Sequence, residues 1–148
     1  MFTAIQALAP SLRVELISAA VRDAGEIERA VAALARSPNG GLIVTRTTEV
    51  MSHHDLIVAL AARHRLPTVY PLRSFVTRGG LMSYGNDVVN DYRQAASYVG
   101  RVLKGEKPTD LPVQYPTRYE LTINLKTAKA IGIDLPASIL ARADEVIE

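Results

Sequence analysis

Two hydrophobic rhythms run along this chain. Phe2, Ile5 and Leu8 in FTAIQALA recur near helical spacing, as the end of a helix whose start would lie further upstream. Leu12–Ala20, LRVELISAA, then alternates apolar and polar residues, which predicts a strand. The rhythm changes again in RDAGEIERAVAALARSPNGG, where Ile27, Val31 and Leu34 form one stripe. Asp23 with Glu26 three residues on is a capping signal, and the PNGG run supplies the stop. GLIVT at 41–45 is a short, continuously apolar strand of the doubly covered kind.

A polar loop, RTTEVMS, leads into a helix over His53–His64, and Leu66–Tyr70 (LPTVY) reads as the next strand. LMSYG at 81–85 is a further strand ending in a glycine turn. It is followed by a long amphipathic helix over Asn86–Lys104, capped by Asn86 or Asp87 and closed by Gly105. EKPTDLPVQYP, with three prolines, predicts an extended connector. TRYELTINL is a β-rich strand, KTAKAIG a short helix, and PASILARADEVIE a terminal helix. Strands alternating with helices predict an α/β fold with a doubly wound, mostly parallel sheet and flanking helices.

Composition narrows the function classes. A chain of 148 residues is one ordinary domain, able to bury about 68–70% of its unfolded surface. Trp is absent and only two Phe are present, so the core is mainly aliphatic. Net charge is +2, with basic residues scattered rather than clustered, which argues against a nucleic-acid partner. With no cysteine there is no disulfide, thiol nucleophile or thiolate metal site. MFTAIQALAP carries no signal-peptide pattern. No apolar run approaches the ~18 residues of a membrane span, so the chain reads as soluble.

Catalytic patterns are missing. His53 and His54 are adjacent and point about 100° apart on a helix, which suits a polar helix start better than a shared metal. His64 sits near a helix C-terminus, where a cationic side chain is favourable. SPNGGLIVT precedes a strand, whereas a dinucleotide loop follows one, and RGGLMSYG lacks the required glycine spacing. Ser37, Ser52, Ser74 and Ser83 lack the nucleophile elbow of hydrolases. Asp23, Glu26, Asp87 and Asp91 fit helix caps and solvated faces. These readings predict no enzyme, no cofactor and no metal.

Ligands of open α/β sheets bind beyond the carboxyl ends of the strands. Those ends carry Thr45, Arg46, Thr47 and Thr48, then Tyr70, Arg73 and Ser74, then Ser83, Tyr84 and Gly85. Hydroxyls, aromatic faces and a guanidinium suit a small polar or zwitterionic ligand that is held without being transformed; ordinary polar loop residues are the competing reading.

From Gly79 onward, GGLMSYGNDVVNDYRQAASYVGRVLKGEKPTDLPVQYPTRYELTINLKTAKAIGIDLP, followed by LARADEVIE, resembles the C-terminal part of the ABC transporter substrate-binding protein family. Upstream, EIERAVAALARSPNGGLIV and ALAARHRLPTVYPLRSFVTRGGLMSYG resemble the same family, that of tryptophan- and tyrosine-binding lipoproteins with a type I periplasmic-binding fold. The resemblance implies a C-terminal lobe and a longer parent with an N-terminal lobe. It implies a role as the solute-binding component of an importer, with an ABC permease as partner and a periplasmic or membrane-anchored extracytoplasmic location. Within it, residues 1–85 are the lobe core, 86–118 the crossover helix and Pro-rich hinge connector, and 119–148 the returning strand and terminal helices. Thr45, Arg46, Thr47, Tyr70, Ser74, Ser83 and Tyr84 would contact the ligand, and Gly85, Pro112 and Pro116 would serve as hinge positions. Arg46 stands where relatives are expected to carry an acidic or small polar residue, which points to a different ligand or a degraded pocket.

Without a facing lobe, the apolar side of the Asn86–Lys104 helix would lack a partner, so a homodimer through that helix is expected. The alternative is a ligand-sensing regulatory module of the same fold without its DNA-binding part. An enzyme of flavodoxin-like or Rossmann type comes third.

Overall fold

The computed structural model describes residues 2–148. Five strands form one sheet in the order β1 (Leu42–Ile43), β2 (Thr68–Tyr70), β3 (Met82–Asn86), β4 (Tyr119–Asn124) and β5 (Glu145–Ile147). β1–β2, β2–β3 and β4–β5 pair parallel, and β3–β4 pairs antiparallel. The architecture is the expected α/β class with a mostly parallel sheet.

Around the sheet lie α1 (Phe2–Leu12), α2 (Ala24–Leu34), α3 (Thr48–Ser52), α4 (His54–Arg63) and α5 (Arg73–Val76). They are followed by α6 (Val88–Leu103), α7 (Leu125–Ile131) and α8 (Ala137–Leu140). Local signals hold where they were strongest. Asp23 accepts from the Glu26 amide at 2.8 Å, and Ile27 and Val31 bury the stripe of α2. Asp87 caps α6 by accepting from the Asn90 amide at 2.9 Å, and Gly105 closes it at φ 96°.

The main core joins Ile27 and Val31 of α2, Val44, Ile57 and Leu60 of α4, and Tyr70 with Phe75. Each such side chain contributes roughly 1.5–3 kcal/mol by leaving water. Leu81, Ala128 and Ile131 form a second cluster, joined by Met82, Ile133 and Leu135.

Two expected elements are different. Leu12–Ala20 is not a strand. α1 runs on through Leu12, Arg13 turns at φ 54°, the Val14 amide donates to the Ala9 carbonyl at 3.1 Å, and residues 14–20 have no regular structure. A strand exists only where a neighbour takes its N–H and C=O groups. Among the described residues β1 pairs with β2 alone, so its outer edge gives this segment no ladder; Ile17 is left 70% exposed. The chain end is not a helix either. α8 lasts one turn, and Glu145–Ile147 becomes β5, because β4 presents Thr122, Ile123 and Asn124 as partners.

No helix among the described residues is long and apolar enough to cross a membrane.

Candidate functional site

The carboxyl ends of β1, β2 and β3 share one rim of the sheet, and the sequence-selected residues lie in or just after these strands but do not all face the same way. Thr45 and Arg46 follow β1 and are exposed. Thr47 is also exposed, but its hydroxyl is engaged as the cap of α3, accepting from the Val50 amide at 3.3 Å. Ser74 opens the half-buried turn of α5, and its carbonyl accepts from the Thr77 hydroxyl at 3.0 Å and from Arg78 at 3.3 Å.

Tyr70 and Ser83 sit differently. In the sheet register they are partners, so their side chains share a face, and that face lies under α5. Tyr70 is 1% exposed and stacks on Phe75 with ring centroids 5.0 Å apart. Burial pushes its phenol up to about 12. Gly80 permits this packing, since a Cβ there would come to 2.6 Å from the Tyr70 ring. The free space beside Tyr70, Val58, Leu66 and Gly79 is about 10 Å³, room for no more than a water. Ser83 is fully buried as well.

Tyr84, next in sequence, points to the opposite face and is 59% exposed, stacked on Tyr119 at 5.7 Å. Period-two alternation separates these neighbours by the thickness of the sheet. Gly85 has no space for a side chain, because a Cβ would run into the Pro71 carbonyl oxygen. Its glycine is therefore explained by close strand–loop approach, a requirement of packing.

Arg73, beside Ser74, reaches across the rim to Glu145. The guanidinium donates from Nε to Oε2 at 2.5 Å and from Nη2 to Oε1 at 2.6 Å. That bidentate hydrogen bond holds the Glu145 carboxyl below the usual range and the Arg73 guanidinium above its own. It ties α5 to β5 over the buried row of Tyr70, Ser83 and Thr122. Arg46 has no ion pair among the described residues, so it is the rim cation available to an anionic group.

A second concavity was not anticipated. Between α6 and the Pro-rich connector lies a cleft of about 210 Å³ lined by Asp91, Gln94, Tyr98, Gln114, Tyr115 and Pro116. The Tyr98 hydroxyl donates to the Pro112 carbonyl at 2.6 Å, which pins the connector along the helix. The i, i+4 spacing of Gln94 and Tyr98 was the available signal, but nothing local in the sequence indicated that the connector folds back on them.

The rim can offer hydrogen bonds, the unpaired guanidinium of Arg46 and the exposed aromatic face of Tyr84. No curated protein matches the chain. A conserved domain protein of Vibrio cholerae matches with a TM-score of 0.85 and 26% identity, over 98% of this chain and 49% of that one. An ABC domain in complex with L-Trp from Streptococcus pneumoniae matches with the same TM-score and identity, over 98% and 50%. A substrate-binding protein of Clostridium difficile in its ligand-free, open form shares the fold alone, with a TM-score of 0.67 and 17% identity. The chain thus spans about half the length of the solved structures it matches. Residues 2–147 match the family described as ABC transporter substrate binding protein. The chain belongs to the ABC transporter substrate-binding protein family.

Proposed function

We propose that the chain is one lobe of a solute-binding component of an ABC importer, holding a small solute such as an amino acid and handing it to a permease outside the cytoplasm. The observation that carries this reading is the Streptococcus neighbour, solved with L-Trp, which this chain follows over 98% of its length. In this reading binding, not catalysis, is the activity.

Thr45, Arg46, Thr47, Ser74 and Tyr84 contact the solute directly. Arg46 meets its carboxylate, the hydroxyls meet its polar groups, and Tyr84 offers an aromatic face. Tyr70 and Ser83 act from beneath, as the packed floor that fixes the rim. Residues 86–118 form the crossover and hinge segment, with Pro112 and Pro116 stiffening the connector and Gly85 holding its root against Pro71. A rim open on one side encloses too little of a solute for tight binding, so a second wall is needed. A homodimer through the Asn86–Lys104 helix supplies it.

Calorimetric titration of the chain with the common amino acids tests the reading. One amino acid should bind, and Arg46→Ala should weaken it roughly tenfold or more, as loss of a charge-assisted contact predicts. Absence of binding for every amino acid, at a protein concentration where dimers form, would reject it.

A further inference from the structure

Asparagine occurs at four positions, 39, 86, 90 and 124, and the fold treats the first of them differently. Asn86 donates its side-chain amide to the Asp91 carboxylate, and Asn90 lies inside α6. Asn124 is buried; its side chain accepts from the Thr127 amide at 2.9 Å and donates to the Val76 carbonyl at 3.3 Å. Asn39 stands in the exposed turn between α2 and β1, at φ 59°, and its side chain makes no hydrogen bond among the described residues. Asparagine is one of the few residues that tolerate this left-handed backbone. Gly40 follows it directly.

We infer that Asn39–Gly40 is a site of spontaneous covalent modification, at which the Asn39 side-chain amide is lost and an isoaspartyl link forms in the main chain. The first step is intramolecular. The deprotonated Gly40 nitrogen attacks Asn39 Cγ, the Cγ–Nδ2 bond breaks, and ammonia leaves, giving a five-membered succinimide. Water then opens the ring. Addition at Cγ breaks its bond to the Gly40 nitrogen and gives aspartate. Addition at the Asn39 main-chain carbonyl carbon breaks that carbon's bond to the same nitrogen and leaves the chain running through Cγ. Both products carry a new carboxylate, so the net charge falls from +2 to +1. None of this depends on the solute-binding reading.

Three features select this position. The attacking nitrogen belongs to glycine, whose backbone is free to turn toward the side chain. That nitrogen is also unengaged: the Gly40 amide donates to no backbone carbonyl among the described residues, and the first bond toward β2 is that of the Leu42 amide to Pro67 at 2.8 Å. At the other exposed pairs the equivalent nitrogen is held. The Asp87 amide donates to the Arg118 carbonyl at 3.0 Å and the Asp91 amide to the Asp87 carbonyl at 3.0 Å. Place is the third feature. The turn lies at the opposite end of the sheet from Asn86 and Tyr119, where α6 leaves and the connector returns, so a lobe carried on those segments approaches the other end. The isoaspartyl link inserts a methylene between α2 and β1, and β1 is held only by Leu42 against Thr68 and Ile43 against Val69. The new carboxylate also stands just beyond the C-terminal end of α2, where the helix dipole disfavours negative charge. Modification therefore loosens β1 and leaves β3 and β4 intact.

Mass spectrometry of the folded chain after storage in warm, mildly alkaline buffer tests this. Trypsin, cutting after Arg36 and Arg46, isolates Ser37–Arg46. That peptide should gain the mass of an amide-to-acid exchange and split into an isoaspartyl and an aspartyl product, faster as pH rises. The peptides carrying Asn86, Asn90 and Asn124 should keep their mass. Gly40→Ala should react about tenfold more slowly or less, because attack depends on near-attack geometry. Its Cβ would lie 3.2 Å from the Leu34 carbonyl oxygen, so Asn39→Gln, which leaves Gly40 in place and would need a larger ring, is the second variant and should not change mass. In the isoaspartyl form, hydrogen exchange should quicken at the Leu42 and Val44 amides and not in β3 or β4. An Asn39 that stays intact, prior conversion of Asn86 or Asn90, aspartate as the sole product, a mass gain in Asn39→Gln, or Gly40→Ala reacting at the parent rate overturns the site. Unchanged exchange at Leu42 and Val44 overturns its effect on β1.

Discussion

The middle of the sheet and helix α6 follow one another directly in the chain, yet they are built for different purposes. Around β2, β3 and β4, Phe75, Val76 and Ile123 are wholly enclosed and Tyr70 nearly so. α6 buries nothing, although its apolar stripe is as regular as that of α2. An amphipathic face is evidence for a partner, and it does not say whether that partner lies in the same chain. Stability of the chain alone should therefore reside in the sheet and α5, with α6 contributing almost nothing until a partner arrives.

Substitution at Phe75 tests the strong side of that contrast. Phe75→Ala removes the ring that stacks on Tyr70 and opens a cavity under α5, which should cost about 3–5 kcal/mol. Chemical denaturation reads this as a large fall in midpoint. A loss below 1 kcal/mol would mean that the centre of the sheet is not the seat of stability. Gly85→Ala comes next. Its Cβ would meet the Pro71 carbonyl, a backbone atom that cannot swing aside, so about 1–3 kcal/mol of strain is expected. A hinge glycine needed only for flexibility would instead tolerate alanine or gain slightly from it. The sign of the change decides between packing and hinge motion.

Asp87→Ala reaches the boundary between the two regions. It removes the cap from the Asn90 amide and one ion pair with Arg118, at a cost of about 1 kcal/mol. If α6 is energetically separate, hydrogen exchange should quicken at Val89, Asn90 and Asp91 while β3 and β4 amides stay protected. Equal loss of protection in the strands would show that α6 is coupled to the core after all.

The same contrast sets what could be read from the residues. Asp23, Asp87 and Gly105 act within one turn of their own position, so the ends of α2 and α6 were legible. Leu12–Ala20 has a strand's alternation, but its fate depends on a neighbour at the outer edge of β1, which no local pattern reports. Glu145–Ile147 errs the other way. Ile139, Leu140 and Val146 fit a helical stripe, and pairing with Thr122–Asn124 overrides it. At the rim, the position of each residue after its strand was readable, while the direction of its side chain was not. Ser83 and Tyr84 are neighbours in sequence, and only the register decides that Ser83 goes under α5 and Tyr84 to the open face.

The smallest effect belongs to the clasp between the two ends of the rim. Arg73 and Glu145 are both partly exposed, so solvent screening limits their hydrogen-bonded pair to about 0.2–1 kcal/mol. Its pH dependence has a definite sign. The Arg73 hydrogen bond lowers the Glu145 carboxyl in the folded chain below its ordinary value of 4.5, so the folded state binds that proton less readily than the unfolded chain does. The contribution is complete above pH about 4.5 and disappears as pH falls through the lower, folded value. Glu145→Gln cannot titrate there and keeps only a neutral acceptor for Arg73. The stability gap between parent and variant should thus be constant near neutrality and close below pH 4.5, which paired denaturation curves at pH 7, 5 and 3.5 will read. High salt should narrow the gap at pH 7, as screening requires of an exposed pair. A gap that persists unchanged at pH 3.5 would place its origin in the shape of the side chain at the β5 edge and remove the charge of Glu145 from the account of how α5 is held over the rim.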